Sequence, residues 1–348
     1  MSSVKSVNIG GLKIGGGAPV RVESMLKTPL EDVAGCVLEL DGLARAGCEL
    51  VRVAFPREGL RGELRQLVTK SPIPIMADIH FNHRFAIAAL DCGCRSVRIN
   101  PGNMGTRGLA ELISAARANG AVIRIGSNGG SLSAAQLESA DGDRAAALVA
   151  AVEEQLLPLA SAGFEDVVIS AKSSSVPQTT RANFILSQRY PFPLHVGITE
   201  AGQGVGGAVK SAVGLGILLS QGIGDTMRVS LTGASKDEAE TAYSILRALG
   251  VRNKGINFVS CPGCGRRRID VERMAGRVKA LLPDGLPDGL TVAVMGCEVN
   301  GPKEAAEADI GLAGTQNGFV LFKKGKTVAT GGEDTLEETL KTFLAAPV

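Results

Sequence analysis

Residues 96–128 read SVRINPGNMGTRGLAELISAARANGAVIRIGSN. The two ends, SVRINPG (96–102) and VIRIGSN (122–128), are short apolar runs that finish in polar residues. Between them LAELISAARANG (109–120) sets its apolar residues at helical spacing. Strand, helix, strand in that order makes the two strands parallel members of one sheet. The unit recurs in both directions. Upstream lie VRVESM (20–25), LVRVAF (50–55) and PIMADIH (74–80); downstream lie DVVISAK (166–172), LHVGITEAG (194–202) and DTMRVSL (225–231). Eight strands in roughly 230 residues predict a (β/α)8 TIM-type barrel. A doubly wound open sheet is the rival, but its strands are usually fewer and more purely apolar.

Strands buried on both faces should be nearly unbroken apolar runs. These carry Arg52, Asp78, His80, Arg98, Asn100, Arg124, Asn128, Lys172, Thr199, Glu200, Arg228 and Ser230, mostly toward their C-terminal halves. That is the end of a barrel where active sites lie. Buried pairs with Glu23, Asp78 or Glu200 would absorb single arginines. They would not absorb Arg52, Arg98, Arg124, Lys172 and Arg228 together, because the strands supply too few acids. The surplus charge predicts an anionic ligand, and guanidinium forks match phosphate oxygens. A small molecule bearing a diphosphate fits. GQGVGG (202–207) follows the seventh strand and feeds a helix, as a barrel phosphate site would. It is a poor dinucleotide fingerprint, since no acid ends the next strand. Of the three histidines, His80 closes a strand and is placed to bind substrate or donate a proton. His83 and His195 read as a surface-helix residue and a buried strand start.

A formal net charge of +2, from 37 basic and 35 acidic residues, gives no general attraction to nucleic acid or membrane surfaces. The absence of Trp and the presence of only two Tyr argue against a base-stacking surface. Glycine is abundant, 45 of 348 residues, in clusters such as GGLKIGGG (10–17) that suggest sharp turns or close approach to a ligand. No apolar run reaches a membrane span, and the start has no apolar leader core, so a cytoplasmic location is expected. Seven cysteines in such a chain do not suggest disulfides. Cys36, Cys48, Cys92 and Cys94 read as buried small residues, the first two in a helical stretch.

Cys261, Cys264 and Cys297 remain. After about residue 253 the pattern changes, which divides the chain into a substrate-binding barrel, 1–253, and a smaller domain, 254–348. INFVS (256–260) ends at Cys261 and LTVAVMG (290–296) ends at Cys297, with the helical IDVERMAGRVKALL (269–282) between. A β-α-β unit makes the strands parallel neighbours and brings both cysteine groups to one end. Zinc would need a fourth Cys or His near Cys297, and none follows. A redox dithiol would leave Cys297 without a role. An iron–sulfur cluster with three thiolates and one oxygen position suits the spacing better, with Glu304 as the oxygen candidate. An acid in the first turn of a helix is the plainer explanation of Glu304.

CPGCGR and MGCEVNGPKEAAEADIG, with MADIHF, RINPGN, RIGSNGGSL, GITEAG, AVKSAVGLGILLSQGIGDTMRVSL and GINFVSCP, resemble the 4-hydroxy-3-methylbut-2-enyl diphosphate synthase family over nearly the whole chain. The resemblance implies a (β/α)8 barrel joined to a smaller domain with a [4Fe–4S] cluster on Cys261, Cys264, Cys297 and, without substrate, Glu304. It implies reductive ring opening of 2-C-methyl-D-erythritol 2,4-cyclodiphosphate in isoprenoid precursor synthesis. Arg52, His80, Arg98, Asn100, Arg124, Asn128, Lys172 and Ser230 would hold the cyclodiphosphate. Thr199 and Glu200 would face the reacting carbons, with Glu200 handling protons and Asp78 orienting its neighbours. Flavodoxin or ferredoxin would supply electrons to a head-to-tail homodimer. The chain departs from the family pattern at Lys303, where Gly is usual, at Glu23, where Gln is usual, at Ser127 and at the SSS after Lys172. Two rival readings are an iron–sulfur sensor without turnover and a cluster-free barrel similar to dihydropteroate synthase.

Overall fold

The computed structural model describes residues 3–79, 82–100, 106–283 and 285–345. Two compact units meet between Arg252 and Asn253. In the first, a hairpin of β1 (Ser6–Ile9) and β2 (Leu12–Gly15) precedes β3 (Arg21–Met25), β4 (Leu50–Ala54), β5 (Ile75–Asp78), β6 (Ser96–Arg98), β7 (Val122–Asn128) and β8 (Val167–Lys172). The strands β9 (His195–Val196), β10 (Gly202–Gln203), β11 (Thr226–Met227) and β12 (Leu231–Thr232) follow. Helices α1 (Val33–Arg45), α2 (Arg61–Lys70), α3 (His83–Asp91), α4 (Thr106–Asn119), α5 (Ala134–Ser139), α6 (Arg144–Ser161), α7 (Val176–Arg189), α8 (Gly204–Leu219) and α9 (Ser235–Ala248) intervene or close the unit.

Eight strands form one parallel sheet in the order β8-β7-β6-β5-β4-β3-β11-β9, and the bridge Ile169↔Leu194 closes it into a barrel. The alternation of each run decides which side chains point where. Val51, Val53, Ala77, Val97, Ile123, Ile125, Ile169, Ala171, Val196 and Met227 join one large core with the helices. Their neighbours in sequence, polar toward the C-terminal ends, are left to the barrel interior. Several helices begin on a residue suited to capping: Asp32, Asn82, Asp143 and Ser175 each accept a hydrogen bond from a first-turn N–H.

Two expectations need correction, and a third is sharpened. GGLKIGGG (10–17) does turn sharply, as the turn and second strand of the hairpin. Its Ile14, with Val7 and Ile9, packs on Leu50, Met76, Val122 and Val168, the first inward residues of four barrel strands, and so plugs the N-terminal end. Cys48 lies outside the helix, beyond the α1 cap at Ala46. The seventh and eighth ladders stop at Val196 and Met227, short of the runs read from sequence. After β9 the chain turns at Glu200, whose φ of 51° is left-handed, and pairs Gly202–Gln203 with Leu231–Thr232 instead.

The second unit holds a five-stranded sheet in the order β13 (Asn257–Ser260), β14 (Thr291–Met295), β15 (Ile310–Thr315), β16 (Gly318–Lys323), β17 (Lys326–Gly331). β13, β14 and β15 are parallel and the last two pairings antiparallel. Helices α10 (Val271–Leu281), α11 (Gly301–Ala306) and α12 (Leu336–Ala345) complete it. Its core gathers Met274 and Val278 of α10, Val292 and Val294 of β14, and Leu336 and Leu340 of α12.

Candidate active site residues

The barrel interior is a charged lattice rather than an apolar plug. Asp78 lies between two guanidiniums, 3.5 Å from Arg52 Nε and 3.3 Å from Arg98 Nη1. The Met25 sulfur accepts from Arg52 Nη2 at 2.9 Å and lies 3.7 Å from Arg228 Nη1. Arg124, only 1% exposed, places Nη1 2.5 Å from Glu23 Oε2. Arg228 reaches Glu238 at 3.3 Å. Glu238 also accepts from Ser24 Oγ at 2.8 Å and from the Leu231 amide at 3.2 Å, and pairs with Lys27.

Glu238 changes the charge count made from sequence. It comes from the first turn of α9, not from a strand, and four of the five cations have a carboxylate within 3.5 Å. Lys172 is the exception: 8% exposed, with no hydrogen bond or ion pair among the described residues. Its stem runs beside Gly197, where an added Cβ would sit 3.6 Å from Lys172 Cδ and 2.5 Å from the Arg228 carbonyl oxygen. Burial drives the Lys172 ammonium well below its ordinary pKa, and Arg124, Arg52 and Arg228 add repulsion against the weaker pull of Glu23. Arginine cannot relinquish its proton; this lysine is the one group in the set that can.

Beneath it, His195 is fully buried, with Nδ1 2.8 Å from Thr226 Oγ1 and 3.7 Å from Glu23 Oε2. Burial first, then the Lys172, Arg124, Arg52 and Arg228 charges, hold this imidazole neutral. Among the described residues, Glu23 Oε1, Arg124 Nη2 and His195 Nε2 are buried without a protein partner, a set of atoms that bound water would satisfy.

At the rim, Asn128 ends β7 and is half-buried, as are Asn100, Thr199 and Ser230. Glu200 is exposed, in the left-handed turn already described. Such a conformation is uncommon for a residue with a Cβ and marks a position held by its surroundings. His80 lies outside the described residues. His83 opens α3 and approaches Glu111 at 3.3 Å. GQGVGG gives its first two residues to β10 and its last four to the first turn of α8, where Gly207 packs so closely that a Cβ would meet Gly202 and Leu231 at under 3 Å.

In the second unit, β13 and β14 run parallel with Ser260 opposite Val294, so Cys261 and Cys297 follow neighbouring strand ends. The Cys261 sulfur accepts from the Gly296 amide at 3.2 Å. The Cys297 thiol is pushed down by the N–H groups of Asn300, Val299 and Gly301, with help from Arg266. Backbone donors that favour thiolate suit sulfurs that ligate a metal. Cys264 is exposed, and Glu304 is exposed in the first turn of α11. The strand ends converge as the β-α-β reading requires; the side chains do not, and among the described residues no three His, Cys, Asp or Glu side chains form a metal-holding group. The other four cysteines are buried. Sequence reasoning missed Met25 and Glu238. Met25 was recoverable, being two residues from Glu23 on one strand; Glu238 left no signal beyond an acid near a helix start.

Residues 4–243 match the GcpE TIM-barrel domain and residues 257–346 the GcpE protein C-terminal domain. A protein of Maridesulfovibrio salexigens is 47% identical over 96% of this chain and 94% of its own. One of Geobacter sulfurreducens is 44% identical over 97% and 96%, and one of Aquifex aeolicus 43% over 97% and 95%. All three bear the name 4-hydroxy-3-methylbut-2-en-1-yl diphosphate synthase (flavodoxin). Among solved structures, dihydropteroate synthase of Xanthomonas albilineans aligns with a TM-score of 0.50 at 12% identity, over 72% of this chain and 98% of that one. That likeness is one of barrel fold alone. With both domains matched, and relatives similar from end to end, the chain belongs to the GcpE family of 4-hydroxy-3-methylbut-2-en-1-yl diphosphate synthases.

Proposed function

We propose that this chain reductively opens and dehydroxylates 2-C-methyl-D-erythritol 2,4-cyclodiphosphate to 4-hydroxy-3-methylbut-2-enyl diphosphate. Family membership supports the reaction. The observation that ties it to these residues is the charge imbalance: four inward guanidiniums (Arg52, Arg98, Arg124, Arg228) and Lys172 against three carboxylates (Glu23, Asp78, Glu238). The guanidiniums alone leave the site positive, and an arriving diphosphate would favour the charged form of Lys172, which burial otherwise disfavours.

Arg52 and Arg98 are fixed by Asp78 and Arg228 by Glu238, so their forks need little rearrangement when phosphate oxygens arrive. Lys172 supplies a further cation, and Arg124 adds positive potential from below. Asn100, Asn128, Ser230 and His80 complete the grip. As the ring C–O bond breaks, charge grows on the departing diphosphate oxygen, where these donors stabilise it. Thr199 and Glu200 face the reacting carbons, and exposed Glu200 delivers the proton that leaves with the hydroxyl as water. Cys261, Cys264, Cys297 and Glu304 would hold a [4Fe–4S] cluster; the backbone donors to two of the sulfurs fit that role. When bound, the cluster supplies single electrons and an iron open to an oxygen ligand.

Reduced flavodoxin is the donor, as in the name of the relatives, with ferredoxin as the other candidate of this kind. A homodimer is supported by α8, which turns Val205, Val209, Val213 and Ile217 to solvent at every fourth position. No described helix is long and apolar enough to cross a membrane, which is compatible with a cytoplasmic enzyme. Anaerobic turnover of the cyclodiphosphate with dithionite tests the reading. Formation of the linear allylic diphosphate is expected; cyclodiphosphate binding without any reduction would leave a sensor instead.

A further inference from the structure

Arg266, Arg267 and Arg268 follow Cys264 with one glycine between. All three side chains are exposed. None has a hydrogen bond or salt bridge among the described residues. Elsewhere on the surface, arginines such as Arg57, Arg61, Arg107, Arg181, Arg189 and Arg273 each stand against a carboxylate. Three adjacent, uncompensated guanidiniums repel one another, so this run gains nothing for the fold from its charge.

The backbone beneath it is firmly tied. The Arg267 amide donates to the Cys264 carbonyl at 3.0 Å and the Arg268 amide to the Gly296 carbonyl at 2.7 Å. Gly296 in turn donates to the Cys261 sulfur. Beyond the run, Ile269 is buried and Asp270 caps α10 by accepting from the Arg273 amide. Arg267 and Arg268 line an open hollow of about 460 Å³ between Pro262–Gly263 and the start of α10. Lys303, exposed and without an ion pair among the described residues, stands next to Glu304 and adds to the positive charge of the same unit. Two acids stand close by, Asp270 as the cap of α10 and Glu272 in its first turn, both lining the same hollow; three arginines minus two acids leave the stretch at +1.

We infer that Arg267 and Arg268 form the docking surface for the electron donor, an acidic flavoprotein of the flavodoxin kind. Electrons must enter at the cysteine edge, and a carrier can pass them only when its flavin comes close to that edge. Fixed positive charge beside the cysteines steers an acidic carrier to the productive face and holds it briefly. Each encounter moves one electron from the reduced carrier, which leaves oxidised by one electron, so two encounters serve one turnover. This rests on the reading above, in which Cys261, Cys264 and Cys297 receive the electrons.

The test uses the full chain, reconstituted anaerobically with iron and sulfide, as wild type and as Arg267→Glu/Arg268→Glu. The milder Arg267→Gln/Arg268→Gln guards against misfolding. Reduced flavodoxin and dithionite serve as alternative reductants, and flavodoxin affinity is measured separately by calorimetry at low and high salt. The KM and Kd for flavodoxin should rise about tenfold or more in the charge-reversed protein at low salt. The difference should shrink as salt screens the surface. Dithionite-driven turnover, iron content and kcat at saturating flavodoxin should stay within about twofold. A flavodoxin KM and Kd that ignore both variants and salt would overturn the inference. So would a parallel fall with dithionite, which would assign the arginines to substrate handling. No turnover of the wild type with either reductant would instead contradict the proposed function, and this inference with it.

Discussion

The barrel interior and the cysteine edge solve opposite problems. In the barrel, cations stand close together in a buried space, and carboxylates from two strands and one helix hold them in position. Four of the five basic groups are paired within the protein, as buried charges require, and Lys172 alone has no partner among the described residues. At the cysteine edge the groups are half-buried or exposed, and what fixes them is backbone: strand register and N–H donors to sulfur. The first region is preorganised for an anion by its own charges. The second has donors brought to one sheet end but not closed on one another.

The largest effect expected of that contrast is at the cysteines. Cys261→Ser or Cys297→Ser should abolish turnover, by about 10³-fold or more, and reduce bound iron after anaerobic reconstitution. Thermal unfolding of the barrel should hardly change. Lys172→Met should separate function from stability. Losing the barrel's basic group that has no carboxylate partner among the described residues should lower kcat/KM for the cyclodiphosphate by about 10²-fold. Removing a buried amino group that has no partner among the described residues should raise Tm by about 2–4 °C. A fall in Tm would show that Lys172 is paired in the folded protein.

Glu238→Ala should cost about 3 kcal/mol in stability, since it strands Arg228 and removes the acceptor for Ser24 and the Leu231 amide. Chemical denaturation measures it, and an unchanged midpoint would mean the helix acid is ornamental to the barrel. The pH effect is smaller. Because the fold holds His195 neutral, its folded pKa is below the unfolded value near ~6.5. The stability it contributes is full above that value and is lost as pH falls through and below it. Melting between about pH 7.5 and 5.5 should therefore show a downward slope that His195→Asn flattens. Val209→Glu with Val213→Glu should shift the chain toward monomer in sedimentation, with least effect on the folding of either unit.

The barrel was readable because its strands follow a simple alternation. In VIRIGSN the outward Ile123 and Ile125 and the inward Arg124 and Asn128 fall on opposite faces without further information. The parallel pairing of the two cysteine strands was readable from their β-α-β order instead. The end plug was not, since GGLKIGGG looks like loop until Ile14 is seen against the barrel's first layer. Nor was Glu238: a carboxylate in a helix first turn is ordinary, and only tertiary folding carries it to Arg228. The β15–β17 meander also left no reading, because IGLAGT has no apolar–polar alternation and KTVATG is mostly exposed.

The most direct test is anaerobic purification with iron and sulfide analysis, followed by cyclodiphosphate and dithionite. About four irons per chain, visible absorption that bleaches on reduction, and appearance of 4-hydroxy-3-methylbut-2-enyl diphosphate are the predicted result. A colourless protein after full reconstitution, carrying zinc or no metal and leaving the cyclodiphosphate unchanged, would contradict the account.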